Sequence, residues 1–124
     1  MWIIVHSDQA LDEWRPGVST RMHVSALNGA THLCIFEQWI APAAGVPTHE
    51  DPVEEVLAIV KDEAEIWIDE KRGVVIGGQS LIVPAHRKHG FRNIGSETLH
   101  VHAVLASAIF EATSDGGTVQ RWQS

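Results

Sequence analysis

Apolar and polar residues alternate with a period of two over most of the stretch from about residue 21 to residue 112. Alternation of that period puts successive side chains on opposite faces of an extended chain. It predicts strands at 21–27, 32–41, 54–60, 64–69, 74–76, 80–83, 89–92, 99–106 and 109–111. Turn-forming groups separate them: Asn28-Gly29, Pro42 to Pro47, Asp51-Pro52, Lys71-Arg72-Gly73, Gly77-Gly78 and Asn93 to Ser96. Short strands this closely spaced predict an antiparallel sandwich or barrel, an all-β fold. The one helical expectation is a turn over Asp8–Trp14, capped by Ser7 or Asp8 and stopped by Pro16-Gly17. After residue 112 the tail turns at Asp115-Gly116-Gly117 and offers a short extended piece at 119–122. Trp2 and Trp122, near the two ends, are expected to pack against something, a second subunit being the natural candidate for a homodimer.

Composition narrows the classes. With 124 residues and 44% hydrophobic content the chain suits one modest core, so a single domain is expected. No apolar run approaches the ~20 residues that span a bilayer. The opening Met1-Trp2-Ile3-Ile4-Val5 lacks the features of a signal peptide. The single cysteine, Cys34, lies within Leu33-Cys34-Ile35-Phe36 and reads as a buried, unreactive thiol. A cytoplasmic protein is the expectation. The net charge of −7 offers no basic face to phosphates and argues against nucleic acid. Of the sixteen Asp and Glu residues, nine fall between Glu50 and Glu70, which by itself describes a solvated hairpin surface.

Within that stretch His49 and Asp51 sit two apart and can face one way. Both faces of the following strand are apolar around Glu55, so this carboxylate must be compensated, by a metal ion or by an arginine such as Arg87 or Arg92. Forty residues after His49 comes His89, on a strand face shared with Phe91 and Asn93. If the two segments meet, His49, Asp51, Glu55 and His89 form a two-imidazole, two-carboxylate set suited to a divalent transition metal: Mn, Fe, Ni or Zn. Asn93 reads as a turn former ahead of Gly95. His100 and His102 share a face of the 99–106 strand, which reads as a polar side turned outward; His102, with His86 at the mouth of the site, is the candidate for proton transfer. Trp39 and Trp67 are candidates to line a pocket or to pack in the core.

The residues 46–57, with Gly45 ahead of them, resemble the first motif of the cupin family, and Gly78, Pro84, His89 and Asn93 resemble its second. The resemblance covers about residues 35 to 106. It implies a double-stranded β-helix (jelly-roll) barrel, usually dimeric, with a metal held inside by three histidines and a glutamate. Family members include dioxygenases, isomerases, decarboxylases and lyases as well as proteins that only bind or store. Three positions depart from the motifs: Asp51 stands where the second histidine belongs, and Asp62 and His86 stand where glycines belong. The first departure makes the donor set harder, favouring Mn²⁺ or Fe²⁺. A metal-dependent enzyme acting on a small molecule, a binding or sensing module, and a cupin with a degraded site are the three functions to separate.

Overall fold

The computed structural model describes residues 1–123. Twelve strands follow one another: β1 (Leu11–Arg15), β2 (Val18–Val24), β3 (Cys34–Ile40), β4 (Gly45–His49), β5 (Glu55–Lys61), β6 (Glu63–Ile68), β7 (Lys71–Ile76), β8 (Gln79–Val83), β9 (His89–Asn93), β10 (Leu99–Leu105), β11 (Phe110–Ser114) and β12 (Gly117–Arg121). A six-stranded sheet in the order β1-β2-β3-β10-β5-β8 faces a four-stranded sheet in the order β4-β9-β6-β7, and β11-β12 forms a separate hairpin. All pairings within them are antiparallel.

Period-two alternation sets the layering. Along β3 and β10 buried residues alternate strictly with half-buried ones. In register across three strands, Phe36, Ala103 and Leu57 make one inward row, and Gln38, Val101 and Ile59 the next. The apolar members of these rows pack with Ala64, Ile66 and Phe91 of the opposite sheet in one core cluster, which buries the apolar area that stabilises the fold. The reverse parity puts Glu37, His102 and Ala58 on the outer face.

Two expectations are corrected. Asp8–Trp14 is not helical: a single 3-10 turn covers His6–Asp8, and Leu11–Arg15 is a strand. Pro16-Gly17 acts as a hairpin turn instead of a helix stop, since Arg15 pairs with Val18 and Gly17 takes the positive φ of 78° that a Pro-Gly turn requires. The stretch read as turn from Pro42 to Pro47 contains the start of β4, whose pairing with β9 is irregular between Val46 and His49, at Pro47, which has no N–H to give a ladder.

Asp62 and His86 both adopt the left-handed backbone of the glycines they replace, at φ 74° and 66°. Asn93 is the turn former expected: its Oδ1 accepts from the Gly95 N–H at 2.8 Å, while its amide donates to the carbonyls of Ile40 (2.9 Å) and Glu97 (2.7 Å). Trp122 packs within its own chain, against Trp14, Phe36 and Phe110, whereas Trp2 is 82% exposed. Among the described residues no helix is long and apolar enough to cross a membrane.

Candidate metal centre

Three local features bring the first-motif and second-motif residues together. His49 at the end of β4 is paired directly with His89 at the start of β9, and their rings lie 4.3 Å apart. Glu55 opens β5 in the other sheet, on its inward face opposite Leu105. Asp51 sits in the connection between β4 and β5, its carbonyl accepting from the His86 N–H at 2.8 Å. Gly90, beside His89, is there because the Trp67 indole leaves no room: a Cβ would lie 2.6 Å from it.

The ligand atoms of His49, Asp51, Glu55 and His89 all lie within 4.8 Å of one another. His89 Nε2 is 3.2 Å from Glu55 and 3.5 Å from Asp51, and His49 Nε2 is 3.7 Å from Asp51. Asp51, Glu55 and His89 are almost wholly buried. Among the described residues no arginine forms an ion pair with Asp51 or Glu55: Arg87 binds Asp69 and Arg92 approaches Glu65, both at the surface. The choice left open for Glu55 is thereby resolved against an arginine partner.

Both imidazoles are oriented by backbone. His49 Nδ1 is 2.9 Å from the Pro47 carbonyl and His89 Nδ1 is 2.9 Å from the Arg87 carbonyl. A carbonyl only accepts, so both Nδ1 atoms carry hydrogen and donate. In the neutral rings Nε2 is then a bare lone pair aimed at the carboxylates, the arrangement that supports metal-bound histidine. Without a cation this is unfavourable. Burial and the adjoining Glu55 carboxylate, through its charge and a proton shared with it, push the Asp51 carboxyl up to about 8, and among the described residues no donor is placed on either Asp51 oxygen. Burial, with His89 beside it, lowers His49. Burial also opposes a charge on His89, but its bond to Glu55 and the nearby carboxylates outweigh that and raise it. Metal–ligand bonds of about 2.0–2.2 Å hold donors no more than ~4.4 Å apart, so a few tenths of an ångström of contraction would close this set around an ion. The residues fit a divalent metal.

Beside the set lies a cavity of about 180 Å³. Its walls are mainly apolar, with Trp14, Phe36, Leu57, Phe91 and Phe110, and its polar lining includes Gln38, Thr48, Arg15 and Arg121. Arg121 lies over Trp14, 4.1 Å from the ring centroid, and its Nε is buried without a hydrogen-bond partner.

Neither candidate for proton transfer reaches this cavity. His86 is exposed and supports the site only through its backbone. His102 faces outward from β10, where it and His100 donate to Glu37 Oε2 at 2.7 and 2.6 Å. These bonds outweigh the effect of burial and hold the Glu37 carboxyl below its ordinary value, while burial and His6 lower nearby His23. Trp39 is stacked on His100 outside the barrel, and Trp67 donates to Thr48 at 2.8 Å, so neither lines the cavity. Trp14, Arg15 and Arg121 escaped the sequence reading; the Pro16-Gly17 hairpin signal was the available clue to the first two. Cys34 is fully buried, its thiol pushed up to about 12 by burial and by the charges of Glu55 and Asp51.

Residues 36–105, more than half of the chain, match the sequence model of the cupin domain. The chain is a cupin. This cupin is 28% identical over 112 residues to auxin-binding protein 1 of Arabidopsis thaliana, an alignment covering 81% of the chain but only 56% of that relative. Among solved structures, the polyketide cyclase RemF from Streptomyces resistomycificus superposes with a TM-score of 0.73 at 16% identity, covering 100% of the cupin and 87% of RemF. The oxalate decarboxylase of Lactobacillus farciminis gives 0.80 at 19% identity, covering 88% of the cupin and 34% of that enzyme. Such identities speak for the jelly-roll fold alone.

Proposed function

We propose that this cupin holds a divalent transition metal through His49, Asp51, Glu55 and His89 and acts on a small organic acid in the adjoining cavity. The observation that carries it is the buried Asp51 carboxylate, unpartnered among ligand atoms that all lie within 4.8 Å of one another. Two nitrogens and two carboxylates suit Mn²⁺, Fe²⁺, Ni²⁺ or Zn²⁺, and the carboxylates balance a divalent charge. A bound ion would supply Lewis acidity toward a substrate oxygen.

The chain's own residues set what enters. Arg15 and Arg121 give the cavity positive charge suited to a carboxylate, with the planar Trp14 and Phe rings around it. Its volume restricts the ligand to a compact molecule. The apolar walls exclude water and strengthen each ionic contact. That one relative is named for binding auxin, and one structural neighbour for decarboxylating oxalate, supports a small organic ligand.

A second reading, capture of the ligand without turnover, is favoured by one feature. The titratable side chains lining the cavity are Arg15, His49, Glu55, His89 and Arg121. Once His49, Glu55 and His89 serve as ligands only arginines remain, and arginine does not exchange protons near neutrality. A reaction here would find no free general acid or base among these lining side chains.

The exposed Trp2, Ile3 and Val5 support a homodimer, for which sedimentation is the check, and the lone buried thiol supports a cytoplasmic location. Elemental analysis of protein purified without chelator tests the metal; one equivalent of a transition metal is expected. Its absence, with no thermal shift from the four ions named, would overturn the proposal. Oxygen uptake and product analysis with a panel of small carboxylates then separate turnover from binding.

A further inference from the structure

The outer face of the six-stranded sheet carries a second cluster built by the opposite parity of the same strands. Glu37 on β3 lies opposite His102 on β10, with His100 two residues before His102 and His23 on neighbouring β2. Glu37 Oε2 takes hydrogen bonds from both His100 and His102, and Oε1 lies 3.3 Å from His23 Nε2. His23 is 3% exposed, yet that Nε2 has no hydrogen-bond partner. Its ring is held by stacking on His6, with centroids 3.6 Å apart and planes within 7°. His100 is held likewise against Trp39.

An arginine would be the ordinary partner for a carboxylate at this place, and Arg21 is Glu37's cross-strand neighbour on β2. Its guanidinium lies over Trp39 instead, leaving Glu37 to the imidazoles. The ligand atoms of Glu37, His100 and His102 lie within 4.8 Å of one another, and their partial exposure leaves a path from solvent. Imidazole-rich sets with one carboxylate suit Zn²⁺, Cu²⁺ and Ni²⁺ more than the harder ions.

We propose that Glu37, His100 and His102, completed by His23, form a second divalent-metal site of the zinc class on the outer face of the sheet, separate from the barrel. Among the described residues no hydrogen bond orients Nδ1 of His100 or His102 as backbone carbonyls orient His49 and His89. The outer site therefore binds more weakly than the barrel site.

The test is a Zn²⁺ titration by calorimetry of the chelator-stripped full chain, with bound metal counted by mass spectrometry. Three variants accompany the wild type: His49→Ala, which opens the barrel set, His100→Gln/His102→Gln, and Glu37→Gln. His49→Ala is expected to keep one equivalent, and its Cu²⁺ form to show imidazole nitrogen couplings in electron spin-echo spectra. Adding the outer substitutions to His49→Ala should weaken that equivalent by more than about 100-fold and remove the couplings. Glu37→Gln keeps the size of the side chain and one oxygen to accept from His100 and His102, while removing the charge and the second acceptor, so its weakened binding guards against a folding artefact in the double variant. Undiminished stoichiometry and affinity in both outer variants would overturn the inference. A single equivalent lost in His49→Ala but kept in the outer variants would also overturn it, leaving the barrel proposal standing; the reverse pattern would remove the barrel site alone.

Discussion

Replacing Asp51 by asparagine should stabilise the metal-free protein and weaken the metal-loaded one, so the order of melting temperatures inverts on adding metal. Asp51 is 2% exposed, its oxygens are unpartnered, and burial with Glu55 raises its carboxyl from 3.8 to about 8. A folded value above the unfolded one means that the folded state binds the proton more tightly. The group's contribution is then fully present below about 3.8, declines as pH rises, and is lost above about 8. At pH 7 roughly three pH units of that window have been crossed, worth at most about 4 kcal/mol at ~1.4 kcal/mol per unit. His89, raised by the same carboxylates, returns part of this through its positive charge, so about 2 kcal/mol is the working figure. Asparagine is nearly isosteric and carries no charge to desolvate. For a domain of this size the gain corresponds to a rise of about 8 °C in the metal-free melting temperature. With metal at a hundred times its Kd, the wild type gains about 2.7 kcal/mol by mass action, while Asp51→Asn, missing a ligand, gains far less. Scanning calorimetry at pH 7 with chelator and then with Mn²⁺ or Zn²⁺ measures both. A metal-free Asp51→Asn protein no more stable than wild type would refute the electrostatic reasoning, and an equal gain from metal in both proteins would refute the ligand assignment.

Metal binding must displace the Asp51 proton, so apparent affinity should rise about tenfold per pH unit per proton up to about pH 8 and then level; calorimetry in buffers of different ionisation enthalpy reads the released proton, and no buffer dependence would count against it. Arg121→Ala should weaken binding of a probe such as benzoate at least about tenfold while leaving neutral benzamide unaffected, because only the former loses a charge-assisted bond. Asn93→Ala, which strands the Ile40 and Glu97 carbonyls and the Gly95 N–H, should cost about 2–4 kcal/mol in urea unfolding. Trp122→Ala, opening the aromatic cluster with Trp14, Phe36 and Phe110, should cost a similar amount and reduce the near-ultraviolet circular dichroism.

The strand interiors were legible wherever one face is buried and the other is not, as in β3 and β10, because burial enforces alternation. In the second motif Gly78 and Asn93 were legible because each meets a local backbone demand, a φ of 90° at Gly78 and the turn to Gly95 at Asn93. β1 was not: its burial is slight along its whole length, so Leu11–Arg15 carries little alternation, and the acidic residues before Trp14 imitate a helix start. β4 was hidden by its own proline, tolerated where the ladder is already broken. Of the site, His49, Asp51, Glu55 and His89 are brought together as their spacing suggests. His102 lies on the outward face that the alternation of β10 favours; its candidacy for proton transfer stayed open because period two says that residues share a face without saying which face is inward. Parity with Leu99, Val101 and Leu105 decides that, and it turns His102 away from the cavity.

The cavity has two authors. Its ligand-bearing end is supplied by strands inside the matched segment 36–105, while Trp14, Arg15, Phe110, Val119 and Arg121 come from hairpins outside it. The β11-β12 hairpin is tethered to the ligand-bearing connection by the Glu50–Thr113 bridge. The proposed ligand set and the charged, aromatic wall of the cavity therefore ride on separable stretches of chain. A chimera that exchanges the β1 strand and the β11-β12 hairpin with those of another barrel would keep the four ligands in place while changing what they are offered.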